Sequence, residues 1–547
     1  MNARLREWGL AVALAAVLIT AMTFPLVPRM GTLARLDGGD AKFGLWNVAW
    51  VGHALLTQPA HVLDANIFFP HKGTLAYSEL NLVAGLLGFP GYALTRNPLV
   101  ALNSAIAIGL FLTFILTWAL VRRLTGSAGA GLVAATAFSF CPNIPTRSAE
   151  IQLLMTFGIP LVFLAFHRFH ERPGLPRGIA LGGALAVAGL ACAYYGLYTG
   201  TALALLALVL ADRRREYWIG LGVAVVTMAL LIAPVVVPYL AARRAVSAPS
   251  VAVDDNVRQW SAHASDLLAS PTLGDRWWLP AVGRVFGPWQ DPMFPGVVML
   301  ALAVVACARE RRREVAAYVA VAVFALWASL GPRFGLYSVL ANVIPGMALL
   351  RAPVRYGMVM SFALAVLAGF GARRVADARA RWAGALVLLT AVELTVWAGP
   401  GTTPGWRLQA VPPIPTAYRM LADLPRGGVV VFPFPYRRPD YQGHTRAMFW
   451  SVFHWQPLVN GYSDVVPPDF DEIAVPINGF PNAEAFEILR KRNVRYVVWH
   501  IDTYDPPSRA GLMARFPPYA RYLRQLTTDD NVWLFEITDW PSEGSER

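Results

Sequence analysis

The chain has 547 residues, 56% of them hydrophobic and only 15% charged, with a mean hydropathy of +0.45. Soluble globular proteins carry about 25% charged residues, so this composition excludes one and indicates a membrane protein. A net charge of +13 would suit a nucleic-acid partner only if the basic residues gathered on one surface, and they are instead spread along the chain at regular intervals.

Apolar runs of the length that crosses a bilayer, roughly 17 to 25 residues, lie near 8–28, 99–121, 126–142, 153–168, 178–195, 197–211, 217–240, 293–308, 315–331, 354–371 and 383–399. They predict an α-helical multi-span protein with about eleven transmembrane helices. The connections that hold Arg4 and Arg6, then Arg122 and Arg123, then Arg168, Arg172 and Arg177 are basic. So are those with Arg213, Arg214 and Arg215, with Arg309, Arg311, Arg312 and Arg313, and with Arg373, Arg374, Arg379 and Arg381. These segments fall on every second connection, the positive-inside pattern, which puts the N-terminus in the cytoplasm and leaves no nucleic-acid partner to explain. The first run has no small-residue cleavage site and leads into further spans, so it reads as a retained helix. Cys141, Cys192 and Cys307 lie in apolar runs and form neither a disulfide framework nor a CxxC metal site.

The first outer loop, residues 29–98, is far longer than a connection needs. It opens with Arg35-Leu36-Asp37-Gly38-Gly39-Asp40, where two glycines permit a tight turn that delivers two carboxylates above the membrane. Phe43, Trp46 and Trp50 follow at i, i+3 and i+7, which predicts a helix with one aromatic stripe lying on the bilayer surface. The simpler alternative makes Asp37 and Asp40 a solvated turn ahead of that helix. The loop continues from Asp64 through Phe68-Phe69-Pro70-His71-Lys72-Gly73 to Glu79, and then a weakly apolar stretch with Pro90. His53, His61, Asp64 and His71 crowd this loop at spacings that match no metal-ligand pattern. A divalent metal stays open without a candidate ligand set.

From about residue 400 the composition turns Pro-rich and charge-mixed, long enough for a separate extracytoplasmic domain over 400–547 with the polytopic part at 1–399. Its pattern is α/β: a helix at 415–424, a strand at 428–434, a helix at 483–491 and strands at 494–499 and 532–537. Asn460-Gly461-Tyr462-Ser463, His500-Ile501-Asp502 and the rings of Trp450, Trp455 and Trp499 are either glycan contacts or turns and core.

An acidic turn after the first helix, interfacial helices, a Phe68-Phe69-Pro70 segment, many spans and an outer α/β tail together resemble the polyprenyl-phosphate-sugar-dependent glycosyltransferases of the GT-C superfamily, most closely bacterial members. The resemblance implies a multi-pass protein of the bacterial inner membrane. Its chemistry would lie outside the cytoplasm: a first-loop aspartate deprotonates an acceptor, which attacks the anomeric carbon of a lipid-phosphate sugar and inverts it. The acceptor would be a glycan, lipid or protein. Asp40 matches the base position best, with Asp37 beside it and Glu150, in the next outer loop, as the second acidic position. Glu150 is equally a cap for the following helix, since Ser148 precedes it. Arg351 and Arg355 form an R-x-P-x-R run on the side where topology needs no positive charge, and a planar guanidinium suits a phosphate; headgroup snorkelling is the alternative. Arg243, Arg244 and Arg333 are further outer arginines, and His71, Lys72 and Glu79 are candidate substrate contacts of the first loop.

A transporter or lipid flippase, or a non-catalytic scaffold for surface-polysaccharide assembly, is the competing reading. Ion-coupled transporters keep ionisable groups near the bilayer midplane. Here Glu393 stands nearly alone within the apolar runs.

Overall fold

The computed structural model describes residues 3–245, 257–272, 274–378, 381–395 and 406–541. Arg379, residues 396–399 of the last apolar run, and the boundary expected near residue 400 lie outside them. A helix stands at each of the eleven apolar runs: α1 (Ala3–Met22), α4 (Pro98–Thr125), α5 (Ala128–Ser139), α6 (Gly158–Glu171), α7 (Leu175–Ala191), α8 (Ala193–Val209), α9 (Arg215–Ala245), α10 (Val297–Arg309), α11 (Arg313–Ser329), α12 (Tyr356–Ala378) and α13 (Arg381–Glu393). Two more, α2 (Gly38–Thr57) and α3 (Leu82–Thr95), lie in the first loop. Among the described residues, four helical stretches are long and apolar enough to cross a membrane: Arg4–Met22, Pro98–Thr125, Arg215–Arg244 and Pro353–Val375.

Local chemistry sets the helix ends. Asn97 accepts from the Leu99 N–H at 2.8 Å with Pro98 in the first turn of α4, and Gly126, at φ 74°, closes it. Ser127 then caps α5 through the Ala130 N–H. The first helix stops at Met22, before Pro25, so it ends short of the expected residue 28. Between α10 and α12 the backbones approach closely because Gly371 has no side chain where the Leu302 carbonyl sits. Glu393, the carboxylate in the apolar runs, ends α13 and accepts from the Val298 N–H at 3.1 Å, at the start of α10. It closes a helix end.

The C-terminal segment holds a four-stranded sheet of order β3-β4-β6-β5, with β3 (Gly428–Phe432), β4 (Val494–His500), β5 (Leu523–Thr527) and β6 (Val532–Ile537). β3 and β4 are parallel and the other pairs antiparallel. Every residue of β3 is buried, as its unbroken apolar run requires. The helices Thr416–Asp423 and Ala483–Lys491 match expectation, whereas β5 and the short pair β1 (Leu33–Arg35) with β2 (Leu408–Ala410) carry no clear sequence signal.

That short pair is one of several ties between the first loop and the C-terminal segment. The Phe69 N–H donates to Leu458 O at 2.7 Å, and the Leu458 N–H to Asn66 O at 2.8 Å. Asn66 is buried; its side chain accepts from Trp46 Nε1 and donates to Gln456 O. Trp50 packs edge-on against Trp455, and Phe43 against Tyr462. The aromatic stripe of α2 therefore faces this packing and not a bilayer surface: Trp46 and Trp50 are each 1% exposed. A 3.6-residue period shows that a face is buried but not what covers it.

Candidate active site

The turn ahead of α2 divides the work of its two carboxylates. Gly38, at φ +81°, takes a left-handed backbone that a side chain would resist, and this swings Asp37 and Asp40 to different neighbours. Asp37 sits at the cap position of α2 without capping it. Its carboxylate accepts from Arg35 Nε at 2.7 Å and from Arg407 Nη1 at 3.4 Å. Burial works to raise its pKa, but the two arginines win and hold the carboxyl below the usual range. Arg35 also donates to Ser148 Oγ at 2.7 Å, which fixes the turn to the segment just before Glu150. Asp40 is exposed, makes no ion pair among the described residues, and accepts one hydrogen bond, from Gln442 Nε2 at 3.2 Å. Gln442 lies over Gly39, where any Cβ would overlap it.

Asp40 faces Tyr462, one of the residues the sequence offers as a glycan contact, and Asp464, which the sequence does not single out. Its charge, with that of Asp464, helps burial push the Tyr462 hydroxyl up to about 12. Asp464 accepts from Ser78 Oγ at 3.1 Å and feels the charges of Arg351 and Arg243. Its side chain is exposed to solvent but surrounded by many protein atoms. That crowding, with Asp40 beside it, raises its carboxyl pKa against the pull of Ser78 and the arginines. Glu79, one residue beyond Ser78, accepts from the Ala193 N–H at 2.7 Å and so closes the start of α8. Burial raises its pKa, opposed by that N–H and by Arg355.

The arginine run is held by tyrosines. Tyr198 donates to Ala352 O at 3.0 Å and Tyr337 to Leu350 O at 2.6 Å, on either side of Arg351. The Arg355 guanidinium lies 4.0 Å from the Tyr194 ring centre, a cation–π contact, and its buried Nε has no hydrogen-bond partner. Arg351 is exposed and makes no side-chain hydrogen bond among the described residues. On the far side of α8, Tyr195 donates to Leu153 O at 3.1 Å and fixes the turn beside Glu150. Glu150 does not cap its helix: it pairs with Arg147 at 3.1 Å, Arg147 also pairs with Asp291, and Glu150 is within electrostatic reach of Arg355.

The structure thus brings Asp40, Glu79, Glu150, Arg351 and Arg355 into one electrostatic chain and sets Asp37 at its edge, already neutralised. His71 is instead bonded to Asp469 at 2.8 Å, and Lys72 is exposed without a hydrogen bond or ion pair among the described residues. His53 stacks on Trp455 and His61 pairs with Asp64, so the histidines do not converge. Among the described residues no three carboxylate, imidazole or thiol groups come together, and Glu150 is committed to Arg147. Asn460 bonds both the N–H and the C=O of Val431, and His500 accepts or donates with Tyr418 at 2.6 Å, so these two residues hold the fold. The missed residues had a readable signal in Tyr194-Tyr195-Gly196-Leu197-Tyr198, three tyrosines gathered where the 178–195 run ends and the 197–211 run begins. Asp464 had none.

Among solved structures, the chain is similar to the arabinofuranosyltransferase AftD from Mycobacteria, with a TM-score of 0.54 at 16% identity over 98% of this chain and 41% of that one. It therefore spans well under half of AftD. It is also similar to the oligosaccharyltransferase AglB from Archaeoglobus fulgidus in complex with an inhibitory peptide and a dolichol-phosphate (TM-score 0.48, 13% identity, 99% and 75% covered). A third is ArnT from Cupriavidus metallidurans bound to undecaprenyl phosphate (0.41, 14%, 98% and 99%). These neighbours are GT-C glycosyltransferases. The fold is the GT-C fold. No protein-family model matches the chain, and no curated protein matches it. In this GT-C frame the described acidic and arginine groups meet where the first loop, the start of α8, the start of α12 and the C-terminal segment converge.

Proposed function

We propose that the protein is a membrane glycosyltransferase that moves a sugar from a polyprenyl-phosphate donor to an extracytoplasmic glycan, lipid or protein, with inversion and with Asp40 as general base. The observation that carries this reading is the unequal state of the two first-loop carboxylates. Asp37 is held by Arg35 and Arg407, whereas Asp40 is exposed, free of any arginine among the described residues, and faces the Arg351 side of the cluster. An ionised carboxylate in that state can take a proton from an acceptor hydroxyl or amine.

In the proposed step the acceptor's proton passes to Asp40 as its oxygen or nitrogen bonds to the anomeric carbon. The bond from that carbon to the lipid phosphate breaks, and its electron pair leaves with the phosphate. Arg355, with a buried Nε left over from its contact with Tyr194, and the neighbouring Arg351 are the groups placed to receive that charge. Eleven spans, a cytoplasmic N-terminus, placement in a bacterial inner membrane and an outer domain over 400–547 belong to the same proposal. Glu393 favours it over ion-coupled transport, since its carboxylate is spent on the first N–H groups of α10.

The test is transfer itself. Purified protein supplied with polyprenyl-phosphate sugars and envelope extracts should release polyprenyl phosphate and glycosylate an acceptor. Release by the wild type and by Asp40→Asn at equal rates would sink the assignment.

A further inference from the structure

At the end of the helix bundle away from the candidate active site, a groove runs between α6 and α7. Its floor is apolar: Leu161 and Ala165 on α6 face Ala180, Gly183, Ala184 and Val187 on α7, and the half-open space between them is about 640 Å³. The α7 residues recur at i, i+3, i+4 and i+7, so one face of that helix is built from small side chains that leave room. A Cβ added at Gly183 would meet nothing within 4 Å, so the space is not filled by a neighbouring helix.

Three arginines ring the mouth: Arg123 from the last turn of α4, Arg168 from the last turn of α6, and Arg177 from the first turn of α7. Arg123 is paired with Glu171. Arg177 donates to the carbonyls of Arg168 and Arg172 and closes the end of α6. Arg168 is exposed and makes no side-chain hydrogen bond or ion pair among the described residues. One carboxylate against three guanidinium groups leaves the mouth positively charged. Orientation in the membrane calls for positive charge at this end but not for a groove beneath it.

We propose that this groove holds an anionic phospholipid, its phosphate at Arg168 and Arg177 and an acyl chain along the floor. The charge selects the occupant: a second apolar helix would satisfy the floor but leave the cationic mouth without a partner, whereas a phospholipid matches both. This site lies away from the proposed chemistry, at the other end of α6, about 21 Å distant at 1.5 Å per residue, and it does not rest on the transferase reading.

The test is lipid retention by the full-length protein, measured by native mass spectrometry after titration with phosphatidylglycerol or phosphatidylcholine. Phosphatidylglycerol should be retained and phosphatidylcholine not. Arg168→Gln should weaken retention about five-fold, the loss expected from one arginine near a charged lipid surface. Gly183→Leu should weaken it to a similar degree by filling the groove while leaving every charge in place. Arg311→Gln, an exposed arginine at the same end but outside the groove, should change nothing. Equal retention of the two lipids, unaltered binding in Gly183→Leu, the same loss in Arg311→Gln, or displacement of the lipid by inorganic phosphate would each overturn the proposal.

Discussion

Arginines gather at both ends of the helix bundle, yet they keep different company. At the opposite end Arg122 meets Glu7, Arg123 meets Glu171 and Arg214 meets Asp212, and the last two arginines are 38% and 53% exposed. At the candidate site Arg35 and Arg147 are 13% and 14% exposed, and Arg355 lies against Tyr194 with a buried Nε. Solvated pairs of the first kind contribute about 0–1 kcal/mol. A guanidinium removed from water needs carboxylates, rings or a ligand to offset its desolvation. Charge that only orients a chain can stay wet, so the dry arginines are the ones to ask about chemistry.

The sharpest break of that comparison is compartment. Reporters fused at Arg214 and after Asp539 should report opposite sides of the membrane, an all-or-none outcome; the same side for both would remove the basis for separating orienting from functional arginines. Next in size is Asp40→Asn, which keeps shape and most hydrogen bonding but cannot take a proton. Turnover should fall by about 10²-fold or more with donor binding little changed, as removal of a general base requires. Steady-state kinetics with a fixed acceptor reads both quantities.

Arg355→Gln removes a charge from the dry set and Arg311→Gln one from the wet set. The first should weaken donor use by about 10-fold or more, the scale of a lost charge-assisted hydrogen bond of about 1.5–3 kcal/mol. The second should leave it unchanged. Equal effects in a donor titration would mean that both ends act on the membrane and neither on the donor.

How much of this was legible in the sequence follows the same division. Helices stand wherever long apolar runs predict them, because burial in a bilayer or a helical core imposes composition as well as period. Arg351 and Arg355 were visible because they break the positive-inside pattern, and Asp40 because glycines flank it. The contact of the first loop with the C-terminal segment was not visible. Asn66 meets Gln456 across 390 residues of chain, and no local period encodes a partner that distant. Asp464 was missed for the same reason, since Ser78 and Arg351 reach it only through the fold. His71 and Lys72 are candidate substrate contacts on charge alone, and charge does not reveal that His71 is bonded to Asp469.

The smallest effect is expected at Asp37, and it separates a structural carboxylate from a chemical one three residues away. Asp37→Asn breaks part-exposed pairs with Arg35 and Arg407, for a loss of about 1 kcal/mol or less, and turnover should fall far less than in Asp40→Asn. The pH dependence has a definite sign. Because the arginines hold the folded carboxyl below its usual value, the stability it contributes is fully present above the unfolded value of about 3.9 and is lost as pH falls through the lowered folded one. The gap in thermal stability between wild type and Asp37→Asn should therefore be constant near neutral pH and close on acidification below about pH 4. A gap that instead widened with acid would mean that Asp37 is not held by Arg35 and Arg407. If Asp37→Asn abolished transfer while Asp40→Asn retained it, the base would move to the residue that the ion pairs assign to structure.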